Sequence, residues 1–310
     1  MTTAWVFPGQ GSQAIGMLAD LAAEFPTVQE TFAEASAALG KDLWLLAQQG
    51  PEAEINATEN TQPLLLTAGI AVWRTWLTLG GARPQYVAGH SLGEYTALVA
   101  AGVLSFADGV KLVAERGRLM QAAVPAGQGA MAAILGLEDT QVVAACAEAA
   151  QGEVVSAVNF NSPGQVVIAG SVAAVDRAMA ACKAAGAKRA LPLPVSAPSH
   201  CALMLPAAEK LAAHLQSLTF HTPVMPVVQN VAARIEADPV ALQASLIAQL
   251  HSPVLWSQSV QWLAEQGVTR FIESGPGKVL TGLNKRIAKE AEHVSVESAE
   301  SLKAALALTE

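Results

Sequence analysis

Apolar positions along this chain come in short runs that alternate with longer stretches at helical spacing, the pattern of an α/β protein. Residues 4–7 form one such run, closed by Pro8 and the loop Gly9-Gln10-Gly11-Ser12-Gln13. That order predicts a strand leading into a glycine loop and a helix. Residues 18–40 carry a helical pattern with breaks. Residues 61–79 predict a longer helix, with Thr61 as its cap, Pro63 in its first turn and Gly80-Gly81 as its stop. Residues 85–88 predict a strand. Gly89-His90-Ser91-Leu92-Gly93 follows at once, and a helix runs on from Glu94 to about residue 101.

The rhythm changes between residues 126 and 195. Strands are expected at 130–135, 154–160, 165–169 and 188–193, with helices at 139–150 and 172–185. Asn161-Ser162-Pro163-Gly164 supplies a turn between the two middle strands. The order β-α-β-β-α-β is the ferredoxin-like pattern. Longer α/β units then return, with helices at 205–218, 240–250, 257–266 and 277–288 and strands at 224–228 and 269–273. The tail after Lys289 is polar and weakly patterned, so it is expected to be loosely held.

Composition narrows the function. Eighteen basic residues against twenty-six acidic ones give a net charge of -8, which argues against a general nucleic-acid binder. An acidic partner would need a local basic patch. Hydrophobic residues make up 52% of the chain, enough for a large core, yet no apolar stretch approaches the ~20 residues of a membrane span. The N-terminal MTTAWVFPGQ carries no positive charge, so no targeting segment is expected. Cys146, Cys182 and Cys201 are too few and too scattered for a disulfide framework or a metal site; reduced thiols and a cytoplasmic location are expected.

The sharpest chemical signal is Gly89-His90-Ser91-Leu92-Gly93, a GxSxG turn between a strand and a helix. Flanking glycines permit a turn tight enough to lift a serine hydroxyl out of the sheet. The following helix N-terminus offers N–H groups to an oxyanion. A serine needs a base. His90 adjoins Ser91, and neighbouring side chains diverge. His200, in a loop before a helix and just after the small subdomain, is the best placed of the six histidines. Arg116 lies on a helix with apolar neighbours Leu112, Val113, Leu119 and Met120, so it should be buried and should meet an anion. The pattern leaves two partners open: a structural carboxylate such as Glu115, or a substrate.

Taken together the motifs resemble the malonyl-CoA:acyl carrier protein transacylase family of fatty acid synthesis. The resemblance rests on 7–13 (FPGQGSQ), 89–95 (GHSLGEY), Arg116-Gly117, 159–165 (NFNSPGQ), Ser199-His200 and Gly275-Pro276-Gly277, in the family's order. It implies an α/β-hydrolase-like main domain, 1–125 and 196–310, with a short, largely parallel sheet, and the ferredoxin-like subdomain inserted at 126–195. It implies Ser91 as the nucleophile and His200 as its base, with the backbone carbonyl of Gln249 in place of a triad acid. The N–H groups of Gln10 and Leu92 would form the oxyanion hole. Arg116 would clamp the malonyl carboxylate, with Gln10 and Met120 lining the substrate site. A ping-pong transfer from malonyl-CoA to the phosphopantetheine thiol of acyl carrier protein follows, with no metal and no redox cofactor. A monomer is expected. Lys188, Arg189, Lys278, Lys285, Arg286 and Lys289 are the best basic cluster for docking an acidic carrier protein, set against an ordinary solvated surface. Two alternatives share the elbow and the histidine: a hydrolase or thioesterase, and a stand-alone polyketide-type acyltransferase for another acyl group.

Three lookalikes carry less. Gly9-Gln10-Gly11-Ser12-Gln13-Ala14 imitates a dinucleotide fingerprint, but Pro8 breaks the strand-to-turn transition. Gly275-Pro276-Gly277-Lys278 lacks the spacing of a phosphate loop and reads as a helix-start loop. Cys201 beside His200 reads as a small packed residue.

Overall fold

The computed structural model describes residues 1–195 and 197–308. Residue 196, where the main domain was expected to resume, and residues 309–310 lie outside the described residues. In chain order the strands are β1 (Thr3–Phe7), β2 (Tyr86–Gly89), β3 (Gly129–Leu135), β4 (Val155–Ser162), β5 (Gln165–Ser171), β6 (Arg189–Pro192), β7 (Val227–Gln229), β8 (Arg234–Glu236), β9 (Arg270–Ser274) and β10 (Glu292–Val296). They form two sheets. The larger has the order β10-β9-β1-β2-β7-β8 and is parallel except for β8, which runs antiparallel to β7. The smaller is antiparallel with the order β4-β5-β3-β6. With helices Asp139–Ala150 and Val172–Ala184 it makes the ferredoxin-like unit that the pattern predicts.

Each sheet has its own apolar core. Ile134, Val166, Ile168, Val142 and Val175 pack together on the small sheet. On the large one, Trp5 of β1 meets Trp73 and Trp76 of the long helix Thr58–Thr78 at ring distances of 4.9 and 5.2 Å. The two units are stitched at β4, where Phe160 N–H donates to Val254 O at 3.0 Å and Val254 N–H to Val158 O at 2.8 Å.

Three expectations need correction. The long helix starts at Thr58, one turn before Thr61, and Pro63 falls in its second turn. Thr61 does not cap it; its hydroxyl donates to the carbonyls of Ile55 and Ala57. The strand expected at 224–228 is the shorter β7, because Pro226 has no N–H to give to a ladder. The tail is not loose. β10 pairs with β9 in parallel, and helix Ala299–Ala307 buries Leu302 and Ala305 against the main core. β10 looks polar because it is a half-buried edge strand, and the buried Arg270 of β9 holds it through Glu292 at 2.7 Å.

Candidate active site

The carboxyl ends of β1, β2 and β7 meet in the middle of the parallel sheet, where α/β proteins build their sites. The loop after β2 carries Ser91 at φ 51°, ψ −106°, directly before helix Leu92–Ala100. Glycine makes this turn possible. A Cβ on Gly89 would sit 1.9 Å from the Gly93 carbonyl, and one on Gly93 would sit 2.0 Å from Phe7 O. The loop after β1 lies against the same turn: His90 N–H donates to Phe7 O at 3.0 Å, and a Cβ on Gly9 would meet His90 O at 2.6 Å. The loop after β7 supplies Asn230, whose Oδ1 accepts from Ser91 N–H at 2.7 Å while its Nδ2 donates to Gly89 O at 2.7 Å.

Ser91 and His200 meet. The Ser91 hydroxyl donates to His200 Nε2 at 2.7 Å, and His200 Nδ1–H donates to the Gln249 carbonyl at 2.7 Å. That carbonyl can only accept, so it fixes the tautomer that leaves Nε2 free to take a proton. Burial, reinforced by the nearby Arg116 charge, pulls His200 down to about 3, against the bond to Gln249. The imidazole is therefore neutral at physiological pH. His200 is itself held at φ 65° by its N–H bond to Leu250 O at 3.0 Å.

Arg116 is fully buried on helix Phe106–Ala123. Its Nη1 donates to Gln62 Oε1 at 2.9 Å; its Nη2 donates to Gln249 Oε1 at 2.9 Å and to Ser91 Oγ at 3.2 Å. The guanidinium lies 5.0 Å over the Tyr95 ring. Among the described residues no carboxylate forms an ion pair with it. Glu115 points away, to Arg118 at 2.6 Å and His214 at 3.1 Å. Glu115, the structural carboxylate that the sequence offered, is thus not its partner, and the buried Glu94 acts on the guanidinium through space without a direct bond. Two amide oxygens hold the cation in place without neutralising it, an arrangement suited to an incoming carboxylate.

Other expected residues fall around this centre. The backbone N–H groups of Gln10 and Leu92 donate to no described residue, and Gln10 Oε1 accepts from Gln62 Nε2 at 3.3 Å. Met120 is buried behind Gln62, its sulfur 3.5 Å from Nε2, so it backs the amide that holds Arg116. His90 bonds Asn161 Oδ1 at 2.8 Å across the two units, and burial lowers its pKa. It is no base for Ser91. Cys201 is buried, with its thiol pushed up to about 11. Gly277 N–H is taken by Glu297 at 3.0 Å, which closes that loop to phosphate. Sequence reasoning missed Gln62 and Asn230, and it named Glu94 and Asn161 only as members of matching motifs, Asn161 also in a turn, without giving either a role.

The basic cluster divides. Lys188 and Arg286 line a groove of about 420 Å³ with Gly136, Pro163 and Gln165. Arg286 spans the two units, donating to Gln165 Oε1 at 2.7 Å and Pro163 O at 3.2 Å. The groove begins two residues beyond Asn161, which bonds His90 next to Ser91. Arg189 and Lys285 are exposed, while Lys278 pairs with Glu297 at 2.8 Å.

Comparison with known proteins places this geometry. The model of the acyl transferase domain family matches residues 4–303. The chain is 61% identical over 303 residues to the malonyl CoA-acyl carrier protein transacylase of Salmonella typhimurium, covering 98% of each. It resembles the crystal structure of an acyl carrier protein S-malonyltransferase from Vibrio cholerae at TM-score 0.97 and 60% identity, covering 98% of this chain and 100% of that one. It also resembles a malonyl-transacylase solved in complex with its type II polyketide acyl carrier protein, at TM-score 0.98 and 57% identity over 99% and 100% of the two chains.

Proposed function

The chain belongs to the acyl transferase domain family, and we propose that it transfers the malonyl group of malonyl-CoA to the phosphopantetheine thiol of acyl carrier protein in fatty acid synthesis. The observation that carries this reading is Arg116: buried, without a carboxylate partner, and 3.2 Å from the Ser91 hydroxyl. A buried cation left this way suits a donor with a free carboxylate a few atoms from its reactive carbonyl.

The mechanism is a ping-pong exchange. His200 Nε2 takes the Ser91 proton as Oγ attacks the thioester carbonyl. The oxygen turns anionic and is met by the N–H groups of Gln10 and Leu92. Collapse breaks the C–S bond, and the proton on His200 passes to the coenzyme A sulfur. The carrier-protein thiol then gives its proton to His200 and attacks the malonyl-serine ester; the bond between the acyl carbon and Ser91 Oγ breaks, and His200 returns the proton to Oγ. A thiol leaves readily, so the imidazolium needs less stabilisation than one that must expel an amine. A backbone carbonyl at Gln249 supplies orientation and partial charge where a serine triad uses a carboxylate. Neither a metal nor a redox cofactor has a step to perform.

Lys188, Arg189, Lys285 and Arg286 are the proposed contacts for the acidic carrier protein, because the groove they border adjoins the loop carrying Asn161. We place the enzyme in the cytoplasm as a monomer. No helix among the described residues is long and apolar enough to cross a membrane, and the three described cysteines are free and buried.

Intact-mass measurement tests the reading. Brief mixing with malonyl-CoA is expected to add one malonyl group at Ser91 that survives in water and moves to holo carrier protein. An adduct lost to water at the same rate with or without carrier protein would make the enzyme a hydrolase.

A further inference from the structure

Glu94 is fully buried in the first turn after the nucleophile, and it touches neither the Ser91 hydroxyl nor the His200 ring. Its Oε2 accepts two hydrogen bonds, from Asn230 N–H at 3.0 Å and from Gln249 Nε2 at 2.9 Å. Its Oε1 is buried with no hydrogen-bond partner among the described residues. Such a carboxyl is a costly way to satisfy two donors, and burial pushes it up to about 7.

Both of its partners lead to the reacting groups. Asn230 brackets the nucleophile turn at Ser91 N–H and Gly89 O. Gln249 gives its backbone carbonyl to His200 and its Oε1 to Arg116. The side-chain amide of Gln249 has two unlike ends. Oε2 of Glu94 draws the Nε2 end, as does Ser91 O at 3.0 Å, and this leaves Oε1 facing the guanidinium. With the amide reversed, N–H donors of Gln249 and Arg116 would face each other, and Arg116 would lose one of its two tethers.

We propose that Glu94 is a positioning residue for malonyl selection: acting through Gln249, it aims Arg116 at the carboxylate of the acyl donor. The proposal rests on the transacylase reading above. The Gln249 carbonyl belongs to the end of helix Pro239–Gln249 and stays with it, so the Ser91–His200 pair depends less on Glu94 than Arg116 does.

The test compares acylation of Ser91 by malonyl-CoA and by acetyl-CoA, which lacks the carboxylate, using intact mass and single-turnover rates. Glu94→Met fills the volume without an acceptor. It is expected to lower the malonyl-to-acetyl rate ratio at least tenfold, and Glu94→Gln, which keeps one acceptor oxygen, is expected to restore most of it. Gln249→Met keeps the backbone carbonyl, removes the amide and is expected to lower the ratio as Glu94→Met does. An unchanged ratio in folded Glu94→Met, even with both rates reduced, would overturn the proposal. Where that variant does not fold, an unchanged ratio in Gln249→Met does so. Failure of the wild-type enzyme to form a malonyl adduct at all would instead sink the underlying reading.

Discussion

The Ser91 hydroxyl and the Arg116 guanidinium touch, at 3.2 Å between Oγ and Nη2, so the proposed nucleophile and the buried cation share one small volume. The acyl carbonyl and the donor's distal carboxylate must therefore both fit beside Ser91. That separation suits a malonyl unit, whose carboxylate is one carbon away from the thioester.

Arg116→Ala is expected to cut malonylation of Ser91 by about 100-fold or more, roughly the 3 kcal/mol of a desolvated bidentate pair. Acetylation from acetyl-CoA is expected to hold or rise. Arg116→Lys is expected to recover little, because one ammonium cannot reach Gln62, Gln249 and a carboxylate together. Equal losses with both donors would show that Arg116 serves the fold and not the substrate.

His200 should remain neutral through the acid range. Its folded pKa lies near 3, below the 6.5 of the free side chain. An unfolded chain binds more protons than the folded one between these values, so this group adds stability above pH 6.5 and loses it as pH falls toward 3. An NMR titration of the His200 ring, assigned with His200→Gln, is expected to stay flat from pH 8 to 5. A midpoint near 6.5 would contradict the buried, Arg116-facing environment.

Glu94 titrates with the opposite sense. Its folded pKa is raised from 4.5 to about 7, so the folded chain binds more protons between those values. Stability from this group is present below pH 4.5 and is lost as pH rises through 7, by about 3 kcal/mol in all. Glu94→Gln carries no such charge. Denaturant unfolding is expected to show the variant gaining stability relative to wild type between pH 5 and 8. A difference that does not change with pH would mean Glu94 ionises without cost.

The sequence made some of this legible and hid the rest for physical reasons. Ser91 was readable because the turn admits only glycine at 89 and 93, and the strand and helix on either side are local. His200 was placed by its loop, and Gln249 came only with the family resemblance, since nothing in the sequence marks a backbone carbonyl. Gln62, Asn230 and Glu94 bond to partners 52 to 155 positions away, and a lone polar residue in an apolar pattern names no partner. The small sheet was legible because its βαββαβ order is local in sequence. The tail was not, because β10 is an edge strand whose stability comes from β9.

Carrier-protein recognition would rest on the groove between the two units. Lys188 and Arg286 face one groove from the two units, whereas Lys278 is already engaged with Glu297. Arg286 donates to a side-chain oxygen and a backbone carbonyl, neither charged, so its own charge is left for a partner. An acidic protein docking here gains mainly encounter rate and orientation, which salt screens. Charge reversal at Lys285 and Arg286 together is expected to raise KM for carrier protein about fivefold or more while sparing KM for malonyl-CoA. Lys188→Glu is expected to act in the same direction, and the effect to shrink as salt rises from 0.05 to about 0.3 M. Losing Arg286 also removes its bonds to Pro163 and Gln165, so Arg286→Gln serves as the control for packing. A carrier-protein KM that stays at the wild-type value in the reversed pair would move the docking surface elsewhere on the chain.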